Sequence, residues 1–300
     1  MSSGVHAASC FQASRRLSRR TYSLTKALRC AAFLIFLTGI SEASLAQSKS
    51  TTPAGWKLIW SDEFNGRTLD LKKWNVLIRE TSKHGELQYY VPDEVYLENG
   101  YLRIRSQVRD YGGMHYTSGR LSTDQRFAPT YGRFEIRGRM PTGKGLWPAY
   151  WLYPQNRDWA MEQLMSKAIE EKRESSIPEL RPWYSEIDIM EYLGHEPNVF
   201  YGTLHYTTFN GEKKSSSGKL TTVDLSKDFH LYALEWEPNE IRWYVDDSLV
   251  HKSVLGVPHT PHYLILNTAV GGSWPGNPDS TTKFPQFHDI DYVRIYQRQQ

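Results

Sequence analysis

Cysteine is nearly missing from this chain of 300 residues: Cys10 and Cys30 are its two, and both fall within the first 46. Everything downstream therefore lacks a disulfide framework and any thiol-based metal or redox site. Its stability has to come from a packed core. Other signatures are missing too. There is no HExxH pair, no GxSxG elbow, no Cys/His cluster and no glycine loop shaped for phosphate, which removes the zinc-peptidase, α/β-hydrolase and nucleotide-binding classes. Internal repeats and low-complexity tracts are absent.

A long apolar run is also lacking. Cys30–Ile40 (CAAFLIFLTGI) is uninterrupted, but a bilayer crossing needs about 20 residues. Arg15, Arg16, Arg19, Arg20, Lys26 and Arg29 precede it, and Ser44-Leu45-Ala46 puts small residues at the −3 and −1 positions of a cleavage site. This order reads as a secretory signal over 1–46, cleaved near Ala46. The expected location is outside the cytoplasm, either periplasmic or extracellular. Cleavage removes six Lys/Arg and Glu42, so the totals of 36 basic and 33 acidic residues become 30 and 32. The mature charge of −2 gives no case for nucleic acid or an anionic membrane as partner. A monomer is the expectation. Residues 47–53 read as a short polar linker, and 54–298 as one domain.

What is present in quantity is aromatic: ten Trp and nineteen Tyr. Most are expected in a large core, and a few suit the apolar faces of sugars. Short alternating runs dominate from Trp56 onward. Leu102 and Ile104 share one face of Tyr101–Ser106, and Phe134 and Ile136 one face of Arg133–Arg139. Leu231–Trp236, Ile241–Val245, Tyr263–Asn267 and Ile290–Tyr296 are further strands, with Asp246-Asp247 as a hairpin turn. Many short strands without alternating helices indicate an all-β sandwich or barrel. The exception is 158–172, where Met161, Leu164, Met165, Ala168 and Ile169 fall at helical spacing, which predicts a helical insertion on a loop.

The sharpest local feature is Ser185-Glu186-Ile187-Asp188-Ile189-Met190-Glu191-Tyr192. Residues two apart on a strand share a face, so Glu186 and Asp188 point together. Glu191 is three past Asp188 and points the other way unless a β-bulge at Ile189-Met190 absorbs the odd residue. With that bulge, Glu186 and Glu191 are about four strand steps apart, or ~13 Å between Cα atoms. Inward-leaning side chains then reach the ~5–5.5 Å carboxyl separation of retaining glycosidases, and the ~6.5–9.5 Å of inverting ones stays open. Glycoside hydrolysis needs one ionised carboxylate and one protonated carboxyl, and crowded acids spread their pKa values in that way. Nearby, Trp147 and Trp151 lie four apart on one face of LWPAYW, and His205 sits in GTLHY on a neighbouring strand. An isolated acidic strand face is more often plain solvated surface; the aromatic and polar company weighs against that here.

These stretches resemble glycoside hydrolase family 16 in its laminarinase-type branch. The resemblance runs through SDEFNG, KWN, GELQYY, YTSGRL, YGRFEIR, GLWPAYWLYP, FHLYALEW, YLILNTAVGG and IDYVRIYQ, in order, across nearly the whole of 54–298. It implies a jelly-roll sandwich of two curved antiparallel sheets with a substrate cleft on the concave face. The implied activity is a retaining endo-β-glucanase acting on β-1,3-glucan, with action on mixed β-1,3/1,4-glucan left open. The resemblance makes Glu186 the nucleophile, Glu191 the general acid/base, Asp188 the acid between them and His205 a cleft histidine. Trp147, Trp151, Asn75 and Arg120 match substrate-contacting positions, and Trp183 lies where the longer loop enters the cleft. No cofactor is implied for catalysis. A structural calcium, as in some members, would use backbone oxygens of Glu63 and Gly100 and the carboxylate of Asp291. Ser185 departs from the glycine usual before the motif. Two other readings stay open: a non-catalytic β-glucan-binding module, and a hydrolase or transglycosylase of another polysaccharide such as agarose.

Overall fold

The computed structural model describes residues 52–80, 84–155, 184–208 and 212–299. The signal segment, the helical insertion at 158–172 and Trp183 lie outside the described residues. In chain order the strands are β1 (Trp56–Asp62), β2 (Asn75–Val76), β3 (Arg79–Glu80), β4 (Gln88–Tyr90), β5 (Val95–Glu98) and β6 (Tyr101–Tyr111). They continue as β7 (Met114–Ser118), β8 (Arg120–Ser122), β9 (Gly132–Arg139), β10 (Leu146–Pro154), β11 (Tyr184–Glu191) and β12 (Val199–Thr207). The last six are β13 (Lys213–Thr221), β14 (His230–Glu237), β15 (Glu240–Val245), β16 (Ser248–Ser253), β17 (His262–Val270) and β18 (Gln286–Arg298).

They form two sheets. Seven strands run β13-β12-β11-β10-β17-β8-β2, and eleven form the other sheet around β16-β15-β14-β9-β18-β6-β7-β4-β3, with β1 on β18 and β5 on β6. Pairing is antiparallel throughout except for β4 with β7. Each of the six strands expected from alternation is found, with ends extended by one to five residues. Among the described residues no helix is long and apolar enough to cross a membrane.

Alternation explains the layering. On β10, Leu146, Tyr150 and Leu152 are fully buried while Trp147, Trp151 and Tyr153 are partly exposed. The buried side meets the larger sheet: Tyr150 packs edge-on against Tyr232 of β14 at 5.7 Å and its hydroxyl bonds His288 of β18 at 2.7 Å. Phe200 of β12 stacks on Tyr232 at 6.2 Å. Trp74, Trp236 and Trp243 are buried completely, so these tryptophans serve the core, whereas Trp147 and Trp151 face outward from the smaller sheet.

Candidate active site

The site stands on the outward face of β11. Ser185 and Ile187 turn into the core, and Glu186 and Asp188 turn out. Against β10, Asp188 pairs with Trp151, Met190 with Tyr150 and Glu191 with Ala149. Ile189 is the extra residue. It and Met190 are both buried without residual exposure, because two consecutive apolar side chains at the bulge enter the core together. On the other edge Asp188 pairs with Thr203 and Glu191 with Tyr201. The bulge therefore returns Glu191 to the face of Glu186 and Asp188.

His205 is the cross-strand partner of Glu186, and its Nε2 lies 3.4 Å from Asp188 Oδ2. One ligand atom each from Glu186, Asp188 and His205 falls within 4.8 Å of the others. Asp188 is only 5 % exposed. Burial, then the charges of Glu191 and Glu186, push its pKa well above the carboxylate range. Burial raises Glu191 to about 7; Glu186 adds to this, and the indole N–H of Trp147, 3.1 Å from Glu191 Oε1, works against it. A proton is thus retained near neutrality on the Asp188 and Glu191 side of the cluster.

Ser185 has a structural reason. Its hydroxyl lies 3.0 Å from His262 Nε2, and His262 Nδ1 lies 2.7 Å from the Thr260 carbonyl. That carbonyl only accepts, so Nδ1 carries the proton and Nε2 accepts from Ser185. The serine therefore satisfies a buried imidazole directly behind Glu186.

The remaining expected residues spread across the same face. Trp151 donates to Asn267 Oδ1 at 2.7 Å, and Asn267 donates to the Tyr90 hydroxyl at 3.2 Å. The Arg120 guanidinium stacks over Trp151 at 4.9 Å. Strand register puts Asp188, Trp151, Ile265, Ser122 and Asn75 in one row across five strands. Asn75 itself donates to the Asp124 carbonyl at 2.5 Å. Three residues were missed by sequence reading. Trp274, 40 % exposed, meets Trp147 edge-on at 5.4 Å and Tyr201 at 5.0 Å, and His84 flanks Trp147 at 6.4 Å. The signal was available: GGSWPG sets a large apolar ring in a loop that gives it nothing to bury against, directly after a cleft strand.

The calcium expectation meets an obstacle. Asp291, its only side-chain ligand, accepts from Arg137 at 2.6 Å, and the Glu63 carboxylate is held by Arg294 at 2.9 and 2.7 Å. A guanidinium already neutralises the one carboxylate, and a divalent ion beside it would meet a like charge. Calcium on the backbone oxygens of Glu63 and Gly100 would have to share the Asp291 carboxylate with Arg137.

Comparison with known proteins agrees with this geometry. The family model "Glycosyl hydrolases family 16" matches residues 175–294, and one described as "Beta-glucan synthesis-associated protein SKN1/KRE6/Sbg1" matches 10–155. A beta-glucanase from Rhodothermus marinus is 36% identical over 297 residues, covering 91% of this chain and 96% of that protein. The catalytic domain of an endo-1,3-beta-glucanase (laminarinase) from Thermotoga petrophila superposes with a TM-score of 0.67 at 36% identity, covering 82% of this chain and 99% of its own. The laminarinase from Rhodothermus marinus gives 0.68 at 34%, covering 82% and 98%. With a relative this similar along almost its entire length, and with a jelly-roll sandwich carrying three acids on one bulged strand, the chain belongs to glycosyl hydrolase family 16.

Proposed function

We propose that the protein is an exported, retaining endo-1,3-β-glucanase. The observation that carries this reading is the bulge at Ile189, which gathers Glu186, Asp188 and Glu191 on one face while Glu191 is raised to about 7. The names of its relatives support the substrate class. In this reading the Glu186 carboxylate attacks the anomeric carbon as Glu191 gives its proton to the leaving oxygen. A covalent glycosyl-enzyme results. Glu191, now ionised, takes a proton from water, which displaces Glu186 and restores both groups. Asp188, holding a proton between them, donates a hydrogen bond to Glu186 and limits charge repulsion. Trp147 and Trp151 offer ring faces to glucose units, and Asn75, Arg120 and His205 offer polar contacts. The basic and apolar order of residues 1–46 supports export, with mature protein starting at Gln47.

The test is reducing-sugar release from laminarin, mixed-linkage β-glucan and agarose by the exported protein, its N-terminus sequenced. Glu186→Gln is assayed alongside. Laminarin should be the best substrate, and the folded variant should lose ~10³-fold or more. Laminarin binding without release of reducing ends by the wild type would sink the enzyme reading in favour of a glucan-binding module.

A further inference from the structure

The bulge that makes the site has an unmet need on its inner side. A residue inserted into one strand interrupts the ladder and leaves a main-chain group without its regular partner. At the bulge the Asp188 carbonyl is reached from the opposite sheet: the indole Nε1–H of Trp243, on β15, donates to it at 2.9 Å. Trp243 is fully buried.

The indole reaches so far because the smaller sheet opens a notch for it. Gly202 on β12 lies across from the bulge, between the residues that pair with Asp188 and Glu191. A Cβ at Gly202 would stand 2.6 Å from Trp243 Cδ1. Its cross-strand partner is Gly218 of β13, where a Cβ would stand 2.3 Å from the Cβ of His251. His251 is in turn the cross-strand partner of Trp243 on β16, its ring 5.1 Å from the indole, and its Nε2 bonds Ser216 at 2.9 Å. Two glycines on one sheet thus receive a Trp-His pair from the other. Glycine inside a strand marks close approach of another group, and both glycines do so here.

We infer that Trp243 is a positioning residue: seated in the Gly202 and Gly218 notch, it fixes the bulge at Ile189 and so sets where Glu191 stands relative to Glu186. The inference rests on the roles proposed for those two acids and deepens them. Packing alone does not require the hydrogen bond, because a benzyl ring fills most of the same volume. The bond is directional, and it ends on the residue between the two acids. Losing it leaves a buried carbonyl unsatisfied, and the bulge relaxes toward water or toward regular pairing. The groups facing Glu191 are Glu186 and Asp188 on its own strand, Trp147 on β10, its cross-strand partner Tyr201 on β12, and His205 on β12 through Asp188. A relaxed bulge moves Glu191 against all of them.

Trp243→Phe keeps a buried aromatic ring and removes the donor together with part of the indole's volume. The expected result is a kcat on laminarin lower by about tenfold or more, with KM held within about twofold. The alkaline limb of kcat/KM should also move to lower pH as Glu191 gains water. Gly202→Ala, which displaces the indole from the other side, should give the same two signatures and serves if the first variant does not fold. A folded variant of either kind with wild-type kcat and a superimposable pH profile overturns the inference. Glu186→Gln in the same assay separates the failures. If it stays active, the assignment of the acids is wrong; if it is dead while Trp243→Phe matches wild type, only the positioning role falls.

Discussion

At the scale of single residues, the acid that must donate a proton is tuned by opposing neighbours. Burial and Glu186 raise Glu191, and the Trp147 N–H holds it down by favouring the carboxylate. A general acid works only while protonated, so kcat/KM should fall as pH rises through the Glu191 value, near 7. Trp147→Phe keeps a ring in the cleft and deletes the donor. A hydrogen bond to a charged group contributes about 1.5–3 kcal/mol, and one pKa unit is about 1.4. The alkaline limb should therefore move up by about one to two units, opposite in sign to the shift expected for Trp243→Phe. A limb that stays put or moves down would show that the indole N–H does not act on Glu191. The acids themselves were legible because a period of two exposes an odd spacing at once. Trp243 was not: fifty-five positions separate it from Asp188, and a core tryptophan looks the same whether or not its N–H is aimed.

Elements are where pattern reading both succeeds and stops. Strands with one apolar face, such as β9 and β15, were visible, and their ends lay within a few residues. The edge strand β13 (KKSSSGKLT) was not visible, although its exposure alternates perfectly. Its inner face carries Lys214, Ser216, Gly218 and Leu220, of which Leu220 alone is apolar, with Ser216 and Gly218 kept small where His251 crowds in from β16, so hydrophobic periodicity has one residue to register. β6 runs on to Tyr111 beyond its apolar half because β7 pairs with it there, not because its side chains enter the core. The bulge is the element on which chemistry depends. Deleting Ile189 restores a period of two through β11 with Glu191, now two past Asp188, still on the cleft face, whereas one alanine inserted after Met190, with the bulge kept, turns Glu191 to the core face. The insertion variant is expected to keep its β-sheet circular dichroism, to melt at lower temperature because a carboxyl is buried, and to lose ~10³-fold or more in laminarin hydrolysis. Substantial activity in that insertion variant would mean that strand register does not set the face on which Glu191 stands.

For the molecule as a whole, two imidazoles lie between the sheets and must stay neutral. Burial depresses His262 to about 4 and His288 to about 3, both from an ordinary value of 6.5. The unfolded chain therefore takes up these protons first. Stability from neutral His262 is complete above pH 6.5 and drains away between about 6.5 and 4, with His288 continuing below that. At about 1.4 kcal/mol per unit, each histidine contributes on the order of a few kcal/mol. The raised acids pull the other way: native Glu191 binds a proton before its unfolded counterpart, so acidification from 7 toward 4.5 favours the fold. Asp289, where burial is outweighed by hydrogen bonds from Arg103 and Arg139, sits below the usual range and titrates beneath that window. The raw melting curve mixes these opposing effects, so the informative quantity is a difference. His262→Gln can still accept from Ser185 and donate to Thr260 without titrating. The advantage in Tm of wild type over this variant should shrink as pH falls from 6.5 to 4, and the sign can reverse near the lower end. A constant gap across that range would mean that His262 exchanges its proton in the folded protein as freely as in water, and that the Ser185 contact behind Glu186 is not the sealed one described above.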